Sequence, residues 1–388
     1  MKEYLEGSQA IAKVVALCRP GVISAYPITP QTHIVEGLAQ LVADGELKVE
    51  FVNVESEHSA ASCCLGALAT GVRAYTSTSS QGLLLMAEVI FNIAGLRLPL
   101  VLTCANRAVS APINIWNDHQ DSVTVRDSGW IQFYAESIQE AADLHIQGYR
   151  LSEDKRVLLP VMINIDGYIL THGYEVVDIP AQELVDKFLP PYQLERKLDP
   201  THPLTLGVLA GPDYYMETRF AIEKTMEDVL SIIPEISNEF HRTFGRNTGG
   251  LIEKYCLEDA QRVIVAMGSV CGTIKETIDE IREKGEKVGL LKIITYRPLP
   301  QEEIYQALKK VKEIAVLEKA ISLGGFGPLY TEIKSLFQGK GENPKISGFI
   351  VGLGGRDITK NSIKTVFDKL SGKQTDCEFI DLKNVEIR

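Results

Sequence analysis

From residue 1 to about residue 180, short continuous apolar runs alternate with segments whose apolar residues fall at helical spacing. Gly7-Ser8 can open a helix through Ile11, Val14, Val15 and Leu17 that stops at Cys18-Arg19-Pro20-Gly21. Ile34, Val35, Leu38, Leu41 and Val42 predict a helix over His33–Ala43, and the small residues of Ser59–Thr70 predict one packed closely on a sheet. Val72–Ser77 reads as a strand, Thr78–Gly82 as a tight turn and Leu83–Ile93 as an apolar helix. Gly21-Val22-Ile23, Val49–Val54 and Leu98–Leu102 are further strand candidates. Val157–Ile165 is another, with Pro160 near its start, where a missing donor is easier to tolerate. Continuous rather than alternating apolar strands, interleaved with helices, form the pattern of a parallel sheet covered on both faces.

From about residue 180 to 258 the rhythm breaks. Pro180, Pro190-Pro191, Pro200, Pro203 and Pro212 interrupt regular elements, which predicts a long excursion over the first domain containing one helix, Tyr215–Ile233. Alternation then returns, with strands predicted at Arg262–Met267, Val288–Ile294, Glu313–Leu317 and Ile346–Val351. Helices are predicted at Thr273–Lys284, Gln301–Val311 and Leu329–Phe337. The expected architecture is α/β, with two parallel-sheet domains at 1–258 and 259–388, the second long enough for a core of its own.

With 388 residues, 45% hydrophobic and 23% charged, and a mean hydropathy near zero, the composition is that of an ordinary soluble protein. The formal net charge of −11 disfavours nucleic acid, anionic membranes and an acidic electron carrier as direct partners, because each would approach against like charge. Neither a charged leader with a cleavage site nor an apolar run of about 20 residues is present, so the expected location is cytoplasmic. The seven cysteines, at 18, 63, 64, 104, 256, 271 and 377, show no zinc or iron–sulfur spacing and read as buried reduced thiols.

Candidate chemistry lies just past the apolar runs, where open parallel sheets build their sites. Arg107 offers a planar, permanently charged fork suited to a carboxylate, although a structural salt bridge has the same signature. Thr29 stands between Pro27 and Pro30, which restrict the backbone and aim a hydroxyl able to donate to a carboxylate or carbonyl oxygen; a stiffened turn is the plain alternative. Glu57 stands at a predicted helix start, where carboxylates commonly serve as caps or dipole partners. Asn117-Asp118-His119-Gln120-Asp121 carries metal-ligand residue types but has no matching second cluster, and reads as a polar capping loop. Gly352-Leu353-Gly354-Gly355 and Gly324-Gly325-Phe326-Gly327 fail the dinucleotide spacing and read as turns.

Taken in order, Ala25-Tyr26-Pro27-Ile28-Thr29-Pro30, Glu55-Ser56-Glu57, Ser80-Gln81-Gly82-Leu83-Leu84-Leu85-Met86, Arg107 and Asp118-His119-Gln120-Asp121 resemble the alpha subunit of pyruvate:ferredoxin oxidoreductase, one of the 2-oxoacid:ferredoxin oxidoreductases. The resemblance continues through Val263–Ser269 and Tyr296-Arg297-Pro298. It implies a thiamine diphosphate pyrimidine-binding domain followed by a transketolase C-terminal-like domain. By position, Glu57 matches the glutamate that contacts N1′ of the aminopyrimidine and favours its imino tautomer, so that the C2 proton can leave. Arg107 matches the arginine on the substrate carboxylate, Thr29 the threonine beside the substrate, and Pro27 a residue lining the cofactor pocket.

The family's oxidation passes electrons singly to iron–sulfur clusters and the acyl group to coenzyme A. This chain lacks a Gly-Asp-Gly motif with a downstream asparagine for Mg2+ and diphosphate, and lacks a cysteine set for a cluster. The resemblance therefore implies that a beta subunit supplies the diphosphate end and a cluster. Gamma and ferredoxin-like delta subunits complete the enzyme and lead to ferredoxin, while this chain itself holds no metal. A neutral threonine at position 29 suits a monocarboxylate such as pyruvate; branched-chain, aryl and 2-oxoglutarate substrates are the alternatives. So is a subunit of a non-redox thiamine diphosphate enzyme of the transketolase or E1 type.

Overall fold

In the computed structural model, which describes residues 2–341 and 344–383, the apolar runs of the first half become a seven-stranded sheet. Its spatial order is Thr295–Arg297, Ile131–Tyr134, Val161–Asp166, Val101–Asn106, Ala74–Thr78, Val22–Ala25, Glu50–Asn53. Neighbours are parallel except at the Thr295–Arg297 edge. Side chains alternate between two cores, as strand geometry requires: Val101, Ile163 and Ile165 pack with Ile11 and Leu144, whereas Leu102 and Met162 pack with Ala60 and Ile90. Helices cover both faces, which is why the central strands Val101–Asn106 and Val161–Asp166 are buried at every position.

A second sheet runs Glu378–Phe379, Lys345–Ile350, Glu313–Glu318, Arg262–Ala266, Val288–Ile293, Ile252–Tyr255, parallel except for the last. It too separates two cores, with Val263 and Val265 on one side and Ile264 and Ala266 on the other. The two sheets exchange edges. Ile252–Tyr255 precedes the expected division near residue 258 yet bonds into the second sheet, while Thr295–Arg297 lies beyond it and bonds into the first. A small antiparallel pair, Lys2–Glu6 with Tyr174–Asp178, stands apart from both.

Several elements differ from the periodicity. The stretch predicted as a turn at Thr78–Gly82 already contains the start of a helix, Ser80–Leu85, followed by a second, Ala87–Gly95. The strand predicted from Val157 begins only at Val161, after Leu158 takes a left-handed backbone (φ 45°). The helix expected to end at Ile233 spans Pro212–Phe244 and carries Pro234 inside it. An interior proline costs about 3 kcal/mol. Beyond it, Ile236 and Phe240 are still buried, and Phe240 meets Phe188 at 5.6 Å between ring centroids. Burial of such side chains contributes about 1.5–3 kcal/mol each, which offsets the proline.

Buried charges join the two sheets' layers. Lys292 Nζ donates to Glu140 at 2.9 Å and to Glu136 at 2.7 Å, and Lys319 Nζ donates to Asp166 at 2.6 Å. Among the described residues, no helix is long and apolar enough to cross a membrane.

Candidate active site

Four adjacent parallel strands, Val101–Asn106, Ala74–Thr78, Val22–Ala25 and Glu50–Asn53, end on the same edge of the first sheet. From Ala25 the chain crosses outward to Glu50, whereas from Thr78 it crosses the opposite way to Val101. A crevice opens at such a reversal, outside the carboxyl ends of the strands. Thr29, Glu57, Gly82 and Arg107 follow these four strands.

The turn carrying Pro27 and Thr29 is held by Gln31, whose side chain is fully buried. Its Nε2 donates to Ser77 O at 2.7 Å and Ser77 Oγ at 3.0 Å, and its Oε1 accepts from Ile28 N at 3.3 Å. Gln31 thereby ties the turn to the neighbouring strand and leaves Pro27 and Thr29 exposed at the crevice. The sequence offered only a polar residue after a proline as its signal.

Glu57 is the first residue of the helix Glu57–Ala69 and only 7% exposed. The capping bond is made by Ser56, whose Oγ accepts from Ser59 N at 3.2 Å. Among the described residues, the Glu57 carboxylate has no hydrogen-bond or ion-pair partner. Gly82 packs directly on it: a Cβ there would lie 2.7 Å from Glu57 Oε1 and 2.5 Å from Thr78 Oγ1. Thr78 Oγ1 and Gln81 Nε2 are buried without partners. Unsatisfied buried polar atoms are costly and uncommon, and the unpaired Glu57 carboxylate with Thr78 Oγ1 across Gly82 marks a place where a polar ligand fits.

Arg107 is 9% exposed, and two of its three guanidinium nitrogens are held by backbone carbonyls. Nε donates to Asn114 O at 2.9 Å and Nη1 to Thr29 O at 3.0 Å, while Nη2 has no partner among the described residues. No carboxylate there forms an ion pair with it. Burial pulls its pKa below the usual arginine value, opposed by Tyr168 and Asp121.

The backbone beneath these groups converges on Asp121. Its carboxylate accepts from Ser80 N at 2.9 Å, Arg107 N at 3.0 Å, Ser122 N at 2.7 Å and Asn106 Nδ2 at 2.9 Å. Burial raises its pKa against those four donors. The rest of the polar loop is braced by the second unit. Asn114 Nδ2 donates to Gly354 O at 3.0 Å, Gly355 N donates to Asn117 O at 2.7 Å, and Gly354 N donates to Asp118 Oδ2 at 3.1 Å. His119 Nε2 lies 2.6 Å from Asp166 Oδ1. Burial alone would raise Asp166, but Lys319 and His119 outweigh it and hold that carboxyl well below the usual range. The loop is thus a brace built of capping and pairing bonds, and the glycine turn at 352–355 serves it.

Residues 13–238 match the family described as pyruvate flavodoxin/ferredoxin oxidoreductase, thiamine diphosphate-binding, and residues 260–363 match pyruvate:ferredoxin oxidoreductase core domain II. The chain belongs to the pyruvate:ferredoxin oxidoreductase family. It is 52% identical over 381 residues to pyruvate synthase subunit PorA of Methanothermobacter thermautotrophicus, covering 98% of each chain. To the PorA subunit of Pyrococcus furiosus it is 50% identical over 364 residues, covering 94% of this chain and 92% of that one. Ketoisovalerate oxidoreductase subunit VorA of Pyrococcus horikoshii is 43% identical over 371 residues, with 95% and 94% coverage. In fold, the chain resembles 2-oxoglutarate:ferredoxin oxidoreductase from Magnetococcus marinus, with a TM-score of 0.71 at 19% identity over 95% of this chain; it spans 65% of that protein's length. It also resembles a split-gene transketolase, with a TM-score of 0.53 at 12% identity, covering 93% of this chain and 97% of that one. For the pyrimidine end of thiamine diphosphate, a carboxylate and the Thr78 hydroxyl, neither with a partner among the described residues, form a fitting donor and acceptor set.

Proposed function

We propose that this chain is the alpha subunit of a 2-oxoacid:ferredoxin oxidoreductase acting on pyruvate, and that it supplies the pyrimidine-facing and substrate-facing half of a shared thiamine diphosphate site. The observation that carries this is the convergence of Thr29, Glu57 and Arg107 on one strand-end crevice, with the Glu57 carboxylate and Arg107 Nη2 both unpartnered. Relatives named pyruvate synthase subunits support pyruvate at 50–52% identity, against 43% for the ketoisovalerate relative.

Thiamine diphosphate, when bound, supplies the carbon nucleophile and electron sink for decarboxylating a 2-oxo acid. Glu57 holds and returns a proton at N1′ of the aminopyrimidine. Its burial keeps water from competing for the hydrogen bond to that nitrogen. Arg107 Nη2 takes the substrate carboxylate in a charge-assisted bond, while Nε and Nη1 stay anchored to two backbone carbonyls. Thr29 donates its hydroxyl to a substrate oxygen without adding charge, and Pro27 lines the cofactor pocket.

Mg2+, the diphosphate and the iron–sulfur clusters fall to beta, gamma and delta subunits, through which electrons reach ferredoxin while coenzyme A takes the acyl group. Exposed Ile113, Trp116 and Ile169 on and beside the strand-end loops are consistent with a partner covering this edge. The test is to copurify the chain with its partners and follow dye reduction. Pyruvate and coenzyme A should both be required, with 3-methyl-2-oxobutanoate and 2-oxoglutarate markedly poorer. Turnover without coenzyme A, or by this chain alone, would overturn the proposal.

A further inference from the structure

Three segments distant in sequence bring together two imidazoles and a carboxylate. Glu6 ends the strand Lys2–Glu6, His33 lies in the first turn of the helix Thr32–Ala43, and His172 precedes the strand Tyr174–Asp178. One ligand atom from each lies within 4.8 Å of the other two. His33 Nδ1 is 2.7 Å from Glu6 Oε1, and the two imidazole rings stand 4.6 Å apart, centre to centre.

An outer layer orients the second ring. Thr171 Oγ1 lies 2.7 Å from His172 Nδ1 and itself accepts from Tyr168 N at 2.8 Å. In the tautomer whose Nδ1–H donates to that hydroxyl, Nε2 keeps its lone pair for a ligand. Metal-binding histidines are commonly held this way, with one nitrogen on a fixed protein group and the other on the ion. Burial differs usefully across the set: Glu6 is buried, His172 half-buried and His33 exposed, so an ion has an open side for entry and for further ligands.

We propose that Glu6, His33 and His172 bind a divalent transition-metal ion of the zinc class, ligated by His33 Nδ1, His172 Nε2 and a Glu6 oxygen. Two imidazoles with one carboxylate favour zinc, cobalt or nickel over magnesium and calcium, which prefer oxygen donors only. The bound ion ties the first strand and the 171–172 turn to the helix that follows the Thr29 turn.

The test uses the purified full chain, stripped with chelator and titrated with Co2+ while visible d–d absorption is read, followed by displacement with Zn2+. One equivalent per chain is expected, without thiolate charge-transfer bands, and unchanged after the cysteines are alkylated. His33→Ala and His172→Ala should each weaken binding by more than about tenfold, and Thr171→Val by about tenfold through loss of the orienting bond. His33 is exposed, so its variant tests the site even if His172→Ala fails to fold. Equal titration curves for wild type and His33→Ala, the appearance of thiolate bands, or no saturable Co2+ binding at about millimolar metal would each overturn the proposal.

Discussion

The two sides of the strand-end crevice are finished to different degrees. Around Arg107 the chain supplies everything: two carbonyls grip the guanidinium, Asp121 holds its backbone, and the second unit braces the loop through Asn114 and Asp118. Around Glu57 it supplies no polar partner among the described residues, and a buried carboxylate stands across Gly82 from the orphaned Thr78 hydroxyl. A binding edge held rigidly before its ligand arrives loses little freedom on binding. An unsatisfied corner gains most when a ligand or partner satisfies it. The contrast assigns preorganisation to the Arg107 side and completion from outside to the Glu57 side.

Substitution of Glu57 should break this contrast most severely. In the assembled enzyme, Glu57→Gln is expected to lower kcat by at least about 100-fold, the usual scale for losing a positioned proton-transfer group. Proton exchange at C2 of bound thiamine diphosphate, followed by NMR after quenching, should slow in parallel. Normal exchange would remove Glu57 from that role. Arg107→Ala comes next, with kcat/KM for pyruvate falling about 10- to 100-fold, as expected for one charged hydrogen-bonding group. Most of that loss should appear in KM, and Arg107→Lys should recover little because an ammonium cannot hold two carbonyls and a carboxylate in one plane.

Arg107 was legible in the sequence because it follows a strand buried at every position, Val101–Asn106, whereas Glu57 follows the edge strand Glu50–Asn53, where Phe51 and Val52 mark the strand between polar ends. What escaped did so for physical reasons. The helix Ile138–Ser152 carries polar residues at helical spacing, but Glu140, Asp143, His145 and Gln147 are buried rather than solvated. Besides neighbours within one turn, they meet Lys292, Arg246, Thr103 and the carbonyl of Thr248, all distant in sequence. Pro234 looked like a helix end because a local rule was outweighed by distant packing on Phe188. Gln31 and Asp121 were legible as polar loop residues only. Which backbone N–H groups they meet depends on strand order, and strand order is not written in local pattern. The exchange of edge strands between the sheets is non-local in the same way.

Asp121 gives the next smaller effect and sharpens the comparison. Asp121→Asn puts an N–H where two of the four donors need an acceptor, since each carboxylate oxygen serves two of them, at a cost of about 1–3 kcal/mol for each donor stranded. Thermal melting should drop, and KM for pyruvate should rise several-fold more than kcat falls, because Arg107 N and Ser80 N lose their common anchor. An equal fall in kcat with unchanged KM would show that Asp121 serves the fold alone. Asn114→Ala should produce a milder version, with KM raised a few-fold, since Arg107 Nε still has the residue-114 carbonyl while the bond to Gly354 is gone.

The smallest effect concerns pH and leaves turnover untouched. Asp118, on the same brace, is buried and its pKa is raised to about 6, against the bonds from Gln120 N and Gly354 N. In the unfolded chain an aspartate titrates near 3.9. Between about pH 4 and 6 the folded state therefore binds more protons than the unfolded one, so Asp118 makes stability fall as pH rises through that window and level off above it. Urea midpoints measured at intervals across the window should show this decline in the wild type and a shallower one in Asp118→Asn. Identical slopes would place the titration elsewhere. A shallower slope with unchanged KM would show that the brace tolerates the charge on Asp118 as long as the backbone bonds to Gly354 and Gly355 hold Arg107 in place.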